Sequence, residues 1–167
     1  MSGSILIACV GNTLRSDDGV GPRIAQLLEK ADLPSEMEVR DFGIGGIHLV
    51  QALMAKPYAA LVVVDCADQG RPPGTVMEIS PDIVDVNTLD HMARYDYLAD
   101  MHYTEPRRAL ALARGLGALP HRVMILGIQP EDAETLSQRL SPTVEKAAHV
   151  ATRHVLGFAS RVRNGET

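Results

Sequence analysis

Short, wholly apolar runs alternate along this chain with stretches in which apolar residues return every three or four positions, a pattern that predicts strands and helices in turn. Ser4 to Val10 reads as a strand buried on both faces, and Pro22 to Ala31 as the helix after it, with Ile24, Leu27, Leu28 and Ala31 on one side and Pro22 near its first position. Glu38 to Phe42 is a second strand. The turn Gly43-Ile44-Gly45-Gly46 leads into a helix carrying Ile47, Val50, Leu53 and Met54, which Lys56-Pro57 stops. Ala59 to Val64 is a third strand that ends abruptly at Asp65. Gly74 to Ile79 alternates enough (Val76, Glu78) to predict an edge strand, antiparallel to its neighbour. Asp82 to Met101 has weak periodicity and is expected to be irregular, as a lid or binding loop. Pro106 to Leu116 is helical again, Arg122 to Ile128 forms the fifth strand, and Ser141-Pro142 opens a last helix along Val144, Ala148, Ala151, Val155, Phe158 and Val162. No repeat or linker divides these elements. The expected fold is α/β: one domain, 1–167, built as a three-layer α/β/α sandwich on a five-stranded, mostly parallel twisted sheet.

Composition narrows the function classes. With 167 residues and 46% hydrophobic content, the chain can bury a full core. Its net charge of -5 comes without a Lys/Arg run, so nucleic acid is excluded as a partner. The apolar segment at Ile5 to Val10 is too short for a signal-peptide core and has no basic flank, which predicts a cytoplasmic protein without membrane insertion. Cys9 and Cys66 fall in or just past strand-like runs, where a small buried hydrophobe belongs.

In a parallel sheet, ligands gather beyond the carboxyl ends of the strands. Three polar side chains qualify: Asp18 after the first strand, Asp65 after the third, and His102 upstream of the Pro106 helix. Adjacent Asp17 and Asp18 would repel a phosphate at a turn where nucleotide-binding folds place one, and no glycine-rich phosphate loop follows any strand. Two carboxylates and an imidazole suit a divalent transition metal and leave positions open for substrate or water. Blander readings stand beside this one. Asp17 or Asp18 can simply cap the following helix, and a lone histidine is more often packed or solvated than functional. His91 competes with His102, and Cys66 with His102 would make a nucleophile and base, although neighbouring strand residues point to opposite faces. Arg107-Arg108 offers either a fork for a carboxylate or a solvated helix face. Asp41-Phe42-Gly43 mimics a kinase triplet without the rest of that machinery, and its glycines suit a sharp bend or the close approach of a ligand.

The segment Gly11-Asn12-x-Leu14-x-x-Asp17-Asp18-x-x-Gly21, followed by Val64-Asp65, His102, Gly127-Ile128-Gln129-Pro130-Glu131 and Leu140-Ser141-Pro142-Thr143-Val144-Glu145, resembles the hydrogenase maturation endopeptidases, from about residue 4 to residue 156. The resemblance implies Asp18, Asp65 and His102 as the metal-binding and catalytic trio. It also implies a cytoplasmic protease that removes the C-terminal peptide of a [NiFe] hydrogenase large-subunit precursor after recognising nickel already inserted in that substrate, with room for another divalent metal in the free protein. The expected peptide seat is the Asp82 to Met101 region with the glycine turn. The alternative is a metallochaperone or checkpoint protein that binds the loaded precursor without cutting it. Two departures from the family pattern are evident: Asp18 stands where relatives often carry Glu, and Asp41-Phe42-Gly43-Ile44-Gly45-Gly46 replaces an Asp-Gly-Gly-Thr-like turn.

Overall fold

The wholly apolar run at the start of the chain becomes strand β1 (Ile5–Val10), buried at every position. Leu6, Ala8 and Val10 face one helical layer, while Ile5, Ile7 and Cys9 face the other. In this computed structural model, which describes residues 3–99 and 105–166, β1 lies inside a sheet with β2 (Met37–Gly43), β3 (Ala60–Cys66), β4 (Val76–Ile79) and β5 (Arg122–Ile128). The strand order is β2-β1-β3-β5-β4. All pairings are parallel except β4 with β5, which is antiparallel and at the edge, as the alternating Val76 and Glu78 predict.

Helices α1 (Val20–Glu29) and α5 (Pro142–Arg163) cover one face, burying Val20, Ile24 and Leu28 against Val144, Ala148, Ala151 and Val155. On the other face lie α2 (Gly46–Ala55) and α4 (Pro106–Gly115), with Leu49, Leu53, Leu110 and Ala113 over Leu61, Val63 and Ile125. The three-layer sandwich is therefore present. Helix α5 starts where Ser141-Pro142 predicts, the Ser141 hydroxyl accepting from the Val144 N–H at 3.3 Å. Helix α1 begins earlier than predicted, at Val20, and β3 runs on through Asp65 and Cys66. No helix among the described residues is long and apolar enough to cross a membrane.

The segment after β4 corrects an expectation. Instead of an irregular loop, it holds a 3-10 turn at Val86–Thr88 and a helix, α3 (His91–Ala99). Helix α3 buries none of its residues, and Met92 and Tyr95 are left exposed, so it lacks the packed stripe by which periodicity is read. Polar contacts hold it instead. The Asp90 carboxylate accepts from the Ala93 N–H (2.8 Å), Arg94 donates to the Val86 carbonyl (2.8 Å), and Arg108 of α4 donates to the Tyr97 carbonyl (3.0 Å). Arg108 is thus engaged in fastening α3 to α4.

β1 and α1 meet backbone to backbone. A Cβ on Gly21 would lie 2.0 Å from the Val10 carbonyl oxygen, and one on Gly11, at φ +148°, would lie 2.0 Å from that of Asp18. Neither obstacle is a movable side chain. Gly21→Ala should therefore lower stability by about 2 kcal/mol or more, read as a shift in the urea midpoint at unchanged slope.

Candidate functional site

The strand order reverses at β1: the chain passes from β1 to β2 on one side and then crosses to β3 on the other. A crevice opens at the carboxyl ends where such a reversal occurs. Asp18 follows β1 and Asp65 lies at the end of β3, so the topology delivers both to this crevice. The register agrees: Cys9 sits opposite Val64, one residue before Asp65.

Asp17 and Asp18 share a 3-10 turn, Ser16–Gly19, that packs against the end of β3, yet they have opposite fates. Asp17 is fully buried (0% exposed) and accepts four hydrogen bonds: one oxygen takes the Ser141 N–H (2.7 Å), and the other takes the Glu131 N–H (2.9 Å), the Asp132 N–H (2.9 Å) and the Ser141 hydroxyl (3.0 Å). Asp18 is half-buried and accepts from the Asn12 N–H at 3.2 Å. Neither caps α1, whose cap position is Gly19 with no side-chain bond, so the capping alternative does not hold.

Burial raises the Asp18 carboxyl above its ordinary range, opposed by the Asn12 N–H and the charge of Arg15. Asp65 is pushed further, to about 8, first by burial and then by the negative charge of Asp18, with the Cys66 N–H pulling weakly the other way. At neutral pH Asp65 therefore keeps its proton. Cys66 packs against the α1/α5 core, and burial with the surrounding aspartates drives its thiol up to about 12, which removes it as a nucleophile. Cys9 and Cys66 are both free thiols.

His102 lies outside the described residues. Among the described residues no three His, Cys, Asp or Glu side chains gather to hold a metal ion, and the rival His91 sits exposed on α3. The two oxygen donors that are described fit a cation by their chemistry: two carboxyls at a sheet mouth, one of them kept neutral by burial and by the charge of the other.

Two loops border the pair. The glycine turn is tightened by Asp41, whose carboxylate accepts from the Gly43 N–H (2.8 Å), and it is tied to the first strand's end by the Gly11 N–H on the Gly43 carbonyl (2.9 Å). The loop after β3 is held by Gln129, whose amide oxygen accepts from the Gln69 (2.8 Å) and Arg71 (3.1 Å) N–H groups while its nitrogen donates to Asp68 (2.8 Å). Gln129 is a buried polar residue to which sequence reasoning gave no role, and Asp17 has a role other than the cap it was offered. A Gln directly after a buried strand was the visible signal.

A family model described as hydrogenase maturation protease matches residues 22–158. The hydrogenase expression/formation protein HoxM of Azotobacter vinelandii is 33% identical over 156 residues, 93% of this chain and 72% of that protein. The chain belongs to the hydrogenase maturation protease family. Solved relatives share the fold: the hydrogenase 2 maturation peptidase of a Thaumarchaeota archaeon (32% identical, TM-score 0.68, 94% of this chain and 98% of that one) and the endopeptidase HybD of E. coli (28%, TM-score 0.73, 95% and 93%). The chain is thus a peptidase of hydrogenase maturation. The matched span includes Asp65 but begins just after the Gly11 to Gly21 motif, so the placement of Asp18 rests on the geometry above.

The protease should show the Asp65 charge in its stability. Between about pH 4 and pH 8 folded Asp65 holds a proton that the unfolded chain has released, so stability falls as pH rises through that window and levels off above it. Asp65→Asn, compared with the parent in metal-free buffer, should gain stability steadily from pH 5 to pH 8, at up to about 1.4 kcal/mol per pH unit, and show no advantage at pH 4. Urea titrations at four pH values measure the difference.

Proposed function

We propose that this protease removes the C-terminal peptide of a nickel-loaded [NiFe] hydrogenase large-subunit precursor, and that Asp18, Asp65 and His102 engage the nickel that the precursor carries. The observation that supports this most is the convergence of Asp18 and Asp65 at the switch point of the sheet, where burial and the charge of Asp18 push the Asp65 carboxyl up to about 8. Nickel belongs to the substrate in this reading, and its positive charge would draw electron density from the scissile carbonyl. Another divalent metal can occupy the same donors in the free protein.

Nickel seated on the pair would displace the Asp65 proton, so that Asp18 or Asp65 would orient a water, take its proton and return it to the leaving amine as the peptide bond breaks. The glycine turn, drawn in by Asp41, gives an extended peptide a wall without side-chain bulk. The protease works in the cytoplasm in this reading, where metal insertion into the precursor precedes trimming.

Purified protein mixed with a nickel-loaded large-subunit precursor should release its C-terminal peptide, seen as a mass loss. Asp18→Ala, Asp65→Ala and His102→Ala should each cut the rate by about a hundredfold or more. Full activity in any one variant removes that residue from the site, and tight precursor binding with no mass change would favour the checkpoint alternative.

A further inference from the structure

Four hydrogen bonds converge on Asp17, and all come from the segment after β5: two from the Glu131 and Asp132 N–H groups and two from Ser141. The backbone on either side is fastened to that segment as well. The Asp17 N–H donates to the Asp132 carbonyl (2.9 Å), the Ser16 N–H to the Ser137 carbonyl (2.8 Å), and the Ser137 N–H to the Leu14 carbonyl (3.0 Å). Ser16 itself stands at φ +45°, where an L side chain is strained, and it is the one non-glycine residue with positive φ among the described residues. Such a turn keeps its shape only while it is held from outside. Asp18 follows Asp17, and its own carboxylate has a single protein donor among the described residues, the Asn12 N–H.

We infer that Asp17 is a positioning residue: its four-bond clamp on the segment after β5 fixes the strained turn and thereby sets where the Asp18 carboxylate stands at the mouth of the crevice. The donors require a carboxylate. Three backbone N–H groups and a hydroxyl all point inward, so an amide nitrogen at this position would face at least one of them. Ser141 completes the device, because its hydroxyl donates to Asp17 while accepting from the Val144 N–H at the start of α5. The turn and the longest helix are thereby coupled. The role in catalysis rests on the function proposed above; the role in placing Asp18 does not.

Amide hydrogen exchange in the metal-free protein tests the placement. The Asn12 N–H donates to the Asp18 carboxylate at 3.2 Å, so in Asp17→Asn its exchange should speed up by about tenfold or more while the amides of β1 keep the parent rates. An Asn12 amide that exchanges at the parent rate, or that speeds up no more than the β1 amides, overturns the inference, since a residue that only fastens loops would leave the Asp18 bond unchanged. Should Asp17→Asn fail to fold, Ser141→Ala, which removes one of the four bonds, is read in the same way. In the precursor assay Asp17→Asn should lose about a hundredfold in kcat with KM nearly unchanged. A parent that cuts no precursor refutes the proposed function while the exchange rate still decides the role of Asp17; a parent that cuts, with Asn12 exchange unchanged in Asp17→Asn, refutes only the inference.

Discussion

A carboxylate removed from water is tolerated only if donors replace what water supplied, and the burial of Asp17 is the constraint on which this structure turns. Its partners come from a segment more than a hundred positions away in sequence, at Glu131, Asp132 and Ser141. That single side chain brings together the loops that leave β1 and β5, two strands with β3 between them. The strained Ser16, the closeness of Gly11 to the Asp18 carbonyl and the cap of α5 all depend on the same junction.

Within that frame, adjacent aspartates do different work because the backbone turns between them. One is consumed by structure. The other is left with one donor among the described residues, beside a second carboxyl that burial and charge keep protonated. Gln129 does for the loop after β3 what Asp17 does for the turn after β1, so both margins of the crevice are set by buried polar side chains rather than by apolar packing. On the proposed reading, the chemistry of a peptidase sits where the strand order of the sheet reverses.

Much of the fold was legible because both-face burial leaves an unmistakable record. Ile5 to Val10 and Ala60 to Val64 are apolar without interruption, and the stripe from Val144 to Val155 has one period throughout. The edge position of β4 could be read from Glu78, whose carboxylate meets His154 at 3.1 Å and Arg161 at 2.9 Å outside the core. Helix α3 escaped because its contacts are polar and it buries nothing, although Asp90 ahead of it was a capping signal. The candidate site was legible as residue types at strand ends. What sequence could not convey was which of Asp17 and Asp18 faces inward, since that is decided by donors distant in the chain, or that Asp65 keeps its proton, since that depends on its neighbours in space. His102, outside the described residues, remains a reading of the sequence alone.

A carboxyl that stays neutral at pH 7 behaves as an occupied seat. On the proposed reading, a stray dissolved cation must first expel the Asp65 proton, which weakens its apparent hold about tenfold at that pH. Metal arriving already anchored in a polypeptide meets the same obstacle but brings contacts along its own chain to offset it. The crevice thus favours cargo that is carried in over ions that merely wander past.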